Sequence, residues 1–180
     1  DSVNINALLS EKLKIWGSGS SAETDVTYSF PWTSIPTAFW DLIYLENFYG
    51  PNAEYKFGFN STQIQAAKNA FLAWENVANV NFVEIAESSS SVGDIRLAFS
   101  SDVSDELWGF ARLPNRWPEA GDIWVNTSLA SDADWSPGTY NYSSLVHEIG
   151  HSLGLKHPDR KSTRLNSIHV VTSYAVFCLK

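Results

Sequence analysis

The sequence contains no methionine and a single cysteine, Cys178. One cysteine cannot form a disulfide within the chain, so the fold must be stabilised without a disulfide framework. A chain poor in cysteine is compatible with secretion but does not require it. Cysteine content therefore leaves the cellular compartment open.

Long apolar runs and a basic surface are also missing. No stretch reaches the roughly 20 consecutive apolar residues that a helix needs to cross a bilayer, so we expect no membrane partner. The chain has 12 lysine and arginine residues against 20 aspartate and glutamate residues, with a formal net charge of −8. These charges argue against a nucleic-acid partner, since binding to phosphates requires a basic face.

What is present indicates one compact domain. The 180 residues are 44% hydrophobic and 14% aromatic, which suits a packed globule that can bury a sizeable core. No internal repeat is visible, and we expect a monomer. Alternating or apolar runs predict strands at 26–30, 80–86, 94–100 and 122–126. A short helix is expected at 37–46, within an aromatic-rich loop.

A first long helix is predicted between the first two strands. Thr62 and Gln65 have the spacing of a capping box. Apolar residues then recur at steps of three and four, which marks one buried helical face: Ile64, Ala67, Phe71, Trp74 and Ala78. Strands interleaved with two long helices favour a sheet with helices packed on it.

The second long helix carries the chemistry. Residues 147–157 read His-Glu-Ile-Gly-His-Ser-Leu-Gly-Leu-Lys-His, and apolar residues at helical spacing indicate a start near Ser143 or Ser144. His147 and His151 lie four residues apart, on the same side of a helix, and can both direct a ring nitrogen at one ion. Glu148 lies about 100° around the helix, where it can act as general base on a metal-held water.

Gly154 provides the turn that a third ligand needs. Glycine adopts a left-handed conformation at little steric cost, so the helix is expected to end there and the chain to bring His157 to the ion. Three neutral imidazoles leave one coordination position for water, which is typical of a catalytic zinc site. Two histidines four residues apart can also be ordinary core or surface side chains. Three of the four histidines lie in the extended pattern, which favours the metal site.

The segment 147–158 resembles the metzincin zinc metallopeptidases, within them the serralysin-type and matrixin-like branch. Residues 26–30 are similar to the first strand of that family, 121–126 to its edge strand, and 140–142 to the residues before its active-site helix. The resemblance implies an α+β, zincin-like fold, with a twisted, mixed five-stranded sheet and two long helices. It also implies secretion from a bacterium, extracellular protein substrates, and binding of substrate along the strand at 122–126.

The resemblance stops after residue 158. Metzincins continue into a C-terminal subdomain with a methionine-containing turn, and we expect that subdomain to be missing here because the chain has no methionine. Residues 159–180 resemble a translated sequencing adapter and are expected to be artefactual. The chain as written is therefore expected to be inactive or poorly folded. For the same reason Tyr174 and His169 are not taken as ligands, nor Cys178 as a nucleophile.

These observations predict three regions: an N-terminal segment at 1–21 (propeptide or linker), the N-terminal part of a metallopeptidase domain at 22–158, and the tail at 159–180. The expected function is a zinc-dependent endopeptidase. A zinc hydrolase of a non-peptide substrate and a non-catalytic zinc-binding domain stay open, because a metal site alone does not select the substrate. Asp132 and Asp134 could bind Ca²⁺, but their spacing matches no defined calcium loop and favours a solvated loop.

Overall fold

The computed structural model describes residues 24–33, 56–88, 90–115 and 119–157. The segments predicted at 1–21, 37–46 and 159–180 lie outside these residues. Among the helices of the described ranges, none combines the length and the apolar character needed to cross a membrane.

One mixed sheet forms the framework of the described chain. Its strands are β1 (Thr24–Ser29), β2 (Lys56–Phe57), β3 (Val80–Glu84), β4 (Ile95–Ser100), β5 (Gly109–Ala111) and β6 (Ile123–Asn126). Their order is β3-β1-β4-β6-β5, with β2 paired to β4 beside this path. The pairs β2–β4 and β5–β6 are antiparallel and the other pairs are parallel. Together with two long helices, this arrangement confirms the predicted fold class.

The position of the strand at 122–126 corrects the expectation that it forms the edge of the sheet. β6 lies between β4 and β5, with Ile123 opposite Leu97 on one side and Ala111 on the other. All four residues of β6 are buried. The strand at that end of the sheet is β5, which the sequence analysis missed because three residues are too few for a period-two pattern.

Helix α1 (Ser61–Glu75) begins earlier than its predicted capping box. Asn60 is the N-cap: its Oδ1 accepts a 3.0 Å hydrogen bond from Gln63 N, and Gln63 Oε1 accepts one of 2.8 Å from Asn60 N. The box predicted at Thr62 and Gln65 is therefore wrong. Asparagine caps a helix as well as threonine does, and the residues two positions earlier have the same spacing.

Helix α2 (Tyr140–Ser152) also begins before its predicted start. Thr139 is the N-cap, and its side chain accepts a hydrogen bond of 3.2 Å from Tyr142 N. The start predicted near Ser143 or Ser144 is therefore three or four residues late. The aromatic and polar residues at the first turn interrupt the apolar pattern on which that prediction rested.

The hydrophobic core lies between the sheet and the two helices. Its cluster joins strand residues such as Val26, Leu97 and Ile123 to Phe71 of α1 and Ile149 of α2, all of which are at most 1% exposed. Burying a side chain of this size stabilises a fold by about 1.5–3 kcal/mol. The core thus fixes α2, which carries the predicted metal ligands, against both α1 and the sheet.

Candidate metal centre

Helix α2 has a buried face toward the core and a more exposed face that carries two of the predicted ligands. Leu145, Ile149 and Ser152 are completely buried, whereas His147 and His151 are only partly buried. The two imidazole rings lie one turn apart, with a centroid separation of 4.5 Å and nearly perpendicular planes. The anchored inner face therefore holds two imidazoles side by side at the surface of the helix.

The end of α2 redirects the chain toward these histidines. Leu153 is the C-cap and Gly154 has a φ of 103°, in the left-handed region. Gly154 N donates to His151 O at 2.8 Å, and Leu155 N donates to Gly150 O at 2.9 Å. These two bonds form a Schellman motif, as the glycine at this position suggested.

The turn brings the third histidine to the first two. The Nε2 atoms of His147 and His151 lie 2.9 Å apart, those of His147 and His157 lie 3.0 Å apart, and those of His151 and His157 lie 3.1 Å apart. The three atoms form a nearly equilateral triangle. The structure thus unites the three histidines that the sequence analysis selected.

The tautomer and the lowered pKa values of the imidazoles suit the binding of a metal ion. His151 Nδ1 lies 2.6 Å from the main-chain oxygen of Leu155. Because a carbonyl can only accept, Nδ1 carries the proton and the Nε2 of the neutral ring is a free electron-pair donor. Burial lowers the pKa of His147 to about 4, with the charges of His151 and His157 adding to the effect, and burial also lowers the pKa of His151.

The residues present fit zinc. Two nitrogens bound to one tetrahedral zinc ion at about 2.0–2.1 Å are separated by roughly 3.3–3.4 Å, close to the observed triangle. Three neutral imidazoles facing one point are the donor set that zinc prefers. His157 is exposed while the other two histidines are partly buried, so one side of the triangle is open to solvent. An open side is a property of catalytic rather than closed structural sites.

Glu148 lies on the same helix but faces the sheet. Its side chain is 8% exposed, and the main-chain N–H of Ala111 donates to its carboxylate. Burial raises the pKa of Glu148 to about 7, while the Ala111 N–H acts in the opposite direction. Arg112 N donates to Asp122 O at 2.9 Å, so alternation along β5 directs the Ala111 N–H away from β6.

The contacts that support this site were not predicted from the sequence. Ala111 acts through its main chain, which leaves no mark in the residue type. Trp74 donates from its indole Nε1 to Val146 O at 2.9 Å, and Ser152 donates from its hydroxyl to Gly121 O at 2.9 Å. A tryptophan on the buried face of one helix and a serine inside the histidine pattern were the available signals, and neither identifies its partner.

The remaining candidate residues are not part of the triangle. Asp134 Oδ1 accepts hydrogen bonds from the main chain and hydroxyl of Ser136, and Asp132 Oδ2 accepts one of 3.3 Å from Asn141 Nδ2. Hydrogen bonds from Ser136 and Asn141 thus already engage these carboxylates, and calcium binding there stays a prediction. His169, Tyr174 and Cys178 lie outside the described residues.

Comparison with known proteins agrees with the site. The family model for the matrixin peptidases matches residues 52–177. This chain belongs to the matrixin family. Zinc is the metal that this family implies, and the three histidines of the matrixin chain fit it.

Curated relatives of this matrixin chain are serralysins. It is 34% identical over 103 residues to serralysin G of Dickeya chrysanthemi, a match that covers 56% of this chain and 22% of the relative. It is 30% identical over 146 residues to the serralysin of Proteus mirabilis, covering 74% of this chain and 28% of the relative. The chain therefore spans between a fifth and a third of the length of these relatives.

Proposed function

We propose that this matrixin chain is the catalytic core of a zinc-dependent endopeptidase that hydrolyses peptide bonds of extracellular proteins. The observation that carries the proposal is the convergence of three histidine Nε2 atoms within 3.1 Å of one another, two of them on the helix that also carries a buried glutamate. Membership of a peptidase family and similarity to serralysins support the same reaction.

His147, His151 and His157 are the residues that would hold the zinc ion. Burial lowers the pKa of His147 and of His151, which favours their neutral, ligating forms, and the bond from His151 Nδ1 to Leu155 O keeps that ring in the ligating tautomer. When bound, zinc polarises the scissile carbonyl and lowers the pKa of a coordinated water toward ~7. The open side of the triangle admits substrate and water.

Glu148 is the general base of the proposed reaction. Burial raises its pKa to about 7, so near neutral pH the carboxylate can both take and return a proton. It accepts a proton from the attacking water as the C–O bond forms. It then delivers that proton to the leaving amine as the C–N bond breaks. The Ala111 N–H acts against the effect of burial on this pKa.

We propose that the substrate peptide lies along β5 rather than along the strand at 122–126. β5 is the terminal strand of the described sheet, whereas β6 is paired on both sides. An extended peptide can add to a free sheet edge through main-chain hydrogen bonds. Because Ala111 of β5 touches Glu148, a peptide beside this strand lies next to the proposed base.

The catalytic proposal is tested by comparing Glu148→Ala with Glu106→Gln, a change at an exposed carboxylate. Both variants are made in the longest natural gene product that contains this chain. We expect Glu148→Ala to lower casein hydrolysis by at least about 10²–10⁴-fold while zinc stays bound, because removal of a general base costs that much. Glu106→Gln should keep full activity. Activity of Glu148→Ala within threefold of the wild type would refute the mechanism.

The same assay separates the rival functions. A zinc hydrolase of another substrate class would bind zinc but leave casein intact. A non-catalytic domain would keep its biological function after Glu148→Ala. Secretion by a bacterium belongs to the proposal as well, supported by the similarity to serralysins, and the monomeric state expected from the sequence stays a prediction. They are checked by locating the protein in the culture medium and by measuring its mass in solution.

A further inference from the structure

We infer that Ser152 is a positioning residue that holds the connection between β5 and β6 against α2 and thereby places Ala111 beside Glu148. The inference rests on the proposed function, since it concerns how the base and the substrate-binding strand are held together. Ser152 lies within the histidine segment 147–157 but is neither a proposed zinc ligand nor the proposed base.

The contacts of Ser152 cross from the helix to the sheet. Its side chain is completely buried. The hydroxyl donates to the main-chain oxygen of Gly121 at 2.9 Å and lies 3.2 Å from the oxygen of Glu148, one turn back in its own helix. A serine that only satisfied its hydroxyl could do so within the helix, as the second contact shows. The bond to Gly121 is therefore the contact that links two elements.

Gly121 and its neighbour Asp122 are connected to the strand beside Glu148 by two main-chain hydrogen bonds. Gly121 N donates to Arg112 O at 3.1 Å, and Arg112 N donates to Asp122 O at 2.9 Å. Arg112 directly follows Ala111, the residue whose N–H reaches the Glu148 carboxylate. Gly121 itself has a φ of 84°, so the turn there has a defined left-handed conformation. A restraint on Gly121 O thus acts one hydrogen bond and one residue away from the contact between Ala111 and the base.

The helix geometry makes the two contacts act together. Glu148 and Ser152 are four residues apart and lie on the same face of α2. Glu148 meets β5 through Ala111, and Ser152 meets the segment leading into β6 through Gly121. These two adjacent polar contacts add to the hydrophobic packing in defining the orientation of the strand pair relative to the helix.

A matched control exists on the same helix. Ser143 is partly buried, and its hydroxyl donates to Thr139 O at 2.9 Å, one turn back, which is the same local bond that Ser152 can make. Ser143→Ala removes a helical serine hydroxyl without touching the strands. Ser152→Ala removes one that reaches the sheet. The difference between the two variants isolates the bond to Gly121.

The experiment uses the longest natural gene product containing the chain, loaded with zinc, at a temperature well below the melting point of every variant. Three quantities are measured: amide hydrogen exchange at 109–112, zinc affinity, and kcat and KM for a peptide substrate. For Ser152→Ala relative to Ser143→Ala, we expect exchange at 109–112 to be about 5–30-fold faster, since one buried hydrogen bond is lost. We expect kcat/KM to fall by a similar factor through both lower kcat and higher KM, with unchanged zinc affinity.

The outcomes separate this inference from the proposed function. If Ser152→Ala only lowers the melting temperature, and exchange and kinetic constants match Ser143→Ala, its role is merely structural and the inference is overturned. If the wild type cleaves no peptide, the proposed function fails, and the exchange rates at 109–112 still decide whether Ser152 holds the strand.

Discussion

The indole Nε1 of Trp74 donates a hydrogen bond of 2.9 Å to the main-chain oxygen of Val146, the residue before His147. The same ring lies against Gly150, the residue before His151. A Cβ placed on Gly150 would come within 2.9 Å of Trp74 Cζ2. One side chain of α1 therefore supports α2 at the positions preceding both of its proposed zinc ligands.

Replacing this indole is expected to weaken the metal site as well as the fold. Trp74→Phe removes the donor to Val146 and leaves a small cavity, so we expect a loss of about 1–3 kcal/mol in the free energy of unfolding. Zinc affinity should fall several-fold because the helix backbone beside His147 loses its support. Urea denaturation and chelator competition measure the two effects.

Trp135→Phe is the matched control for this prediction. Trp135 is 2% exposed, and its Nε1 donates to Asp132 O at 2.9 Å, three residues back in its own loop rather than in α2. It should lose comparable stability and retain its zinc affinity. Equal losses of zinc affinity in the two tryptophan variants would contradict the supporting role of Trp74.

The turn after α2 predicts losses of different size for two substitutions at Gly154. Its φ of 103° strains any residue with a Cβ. Gly154→Ala should cost about 1–2 kcal/mol of stability and displace His157, lowering zinc affinity. Gly154→Asn should cost less, because asparagine tolerates left-handed conformations better. Denaturation curves and zinc titrations compare the pair; equal behaviour of alanine and asparagine would show that the turn conformation does not matter.

Zinc should stabilise the folded chain through the three histidines. At a free zinc concentration about 100 times the dissociation constant, we expect a gain of ~2.7 kcal/mol, reversed by a chelator. His157→Ala should lower zinc affinity at least about tenfold, since it removes one of three ligands. His169→Ala should have no effect. Thermal melts with and without zinc make the comparison, and an equal loss in the His169 variant would require a different ligand set.

The buried Glu148 predicts a specific pH dependence of the metal-free protein. Burial raises its pKa in the folded state from 4.5 to about 7. The folded state thus holds this proton more tightly than the unfolded state does. The resulting penalty on stability is absent below pH 4.5, grows as pH rises toward 7, and is complete above 7. A shift of this size corresponds to about 3 kcal/mol.

Glu148→Gln removes the titration and preserves the shape. In the presence of a chelator, the variant should gain about 2–3 kcal/mol relative to the wild type between pH 4.5 and pH 8. Glu106→Gln, at an exposed site, should show no comparable change. Urea unfolding at several pH values gives these differences. A stability difference between wild type and Glu148→Gln that stays constant with pH would show that Glu148 is not perturbed by burial.

Elements with a regular apolar period were predicted from the sequence, whereas helix starts and strand order were not. Strands β1, β3, β4 and β6 and both long helices were predicted from periodicity, which reflects which face of an element is buried. The starts of α1 and α2 were misplaced, because several residues near a helix end can serve as N-cap. β5 was missed and β6 was taken as the edge, because strand order depends on pairing between distant segments rather than on local pattern.

The grouping of the histidines is encoded in the local sequence. A spacing of four residues on a helix, followed by a glycine that reverses the chain, brings His147, His151 and His157 together through local geometry alone. The strand that meets Glu148 and the side chains that support the site depend instead on contacts between distant segments. Trp74 and Val146 are 72 residues apart in sequence, and Ser152 and Gly121 are 31 apart. These hydrogen bonds end on main-chain oxygens, which every residue carries, so no residue type marks them in advance.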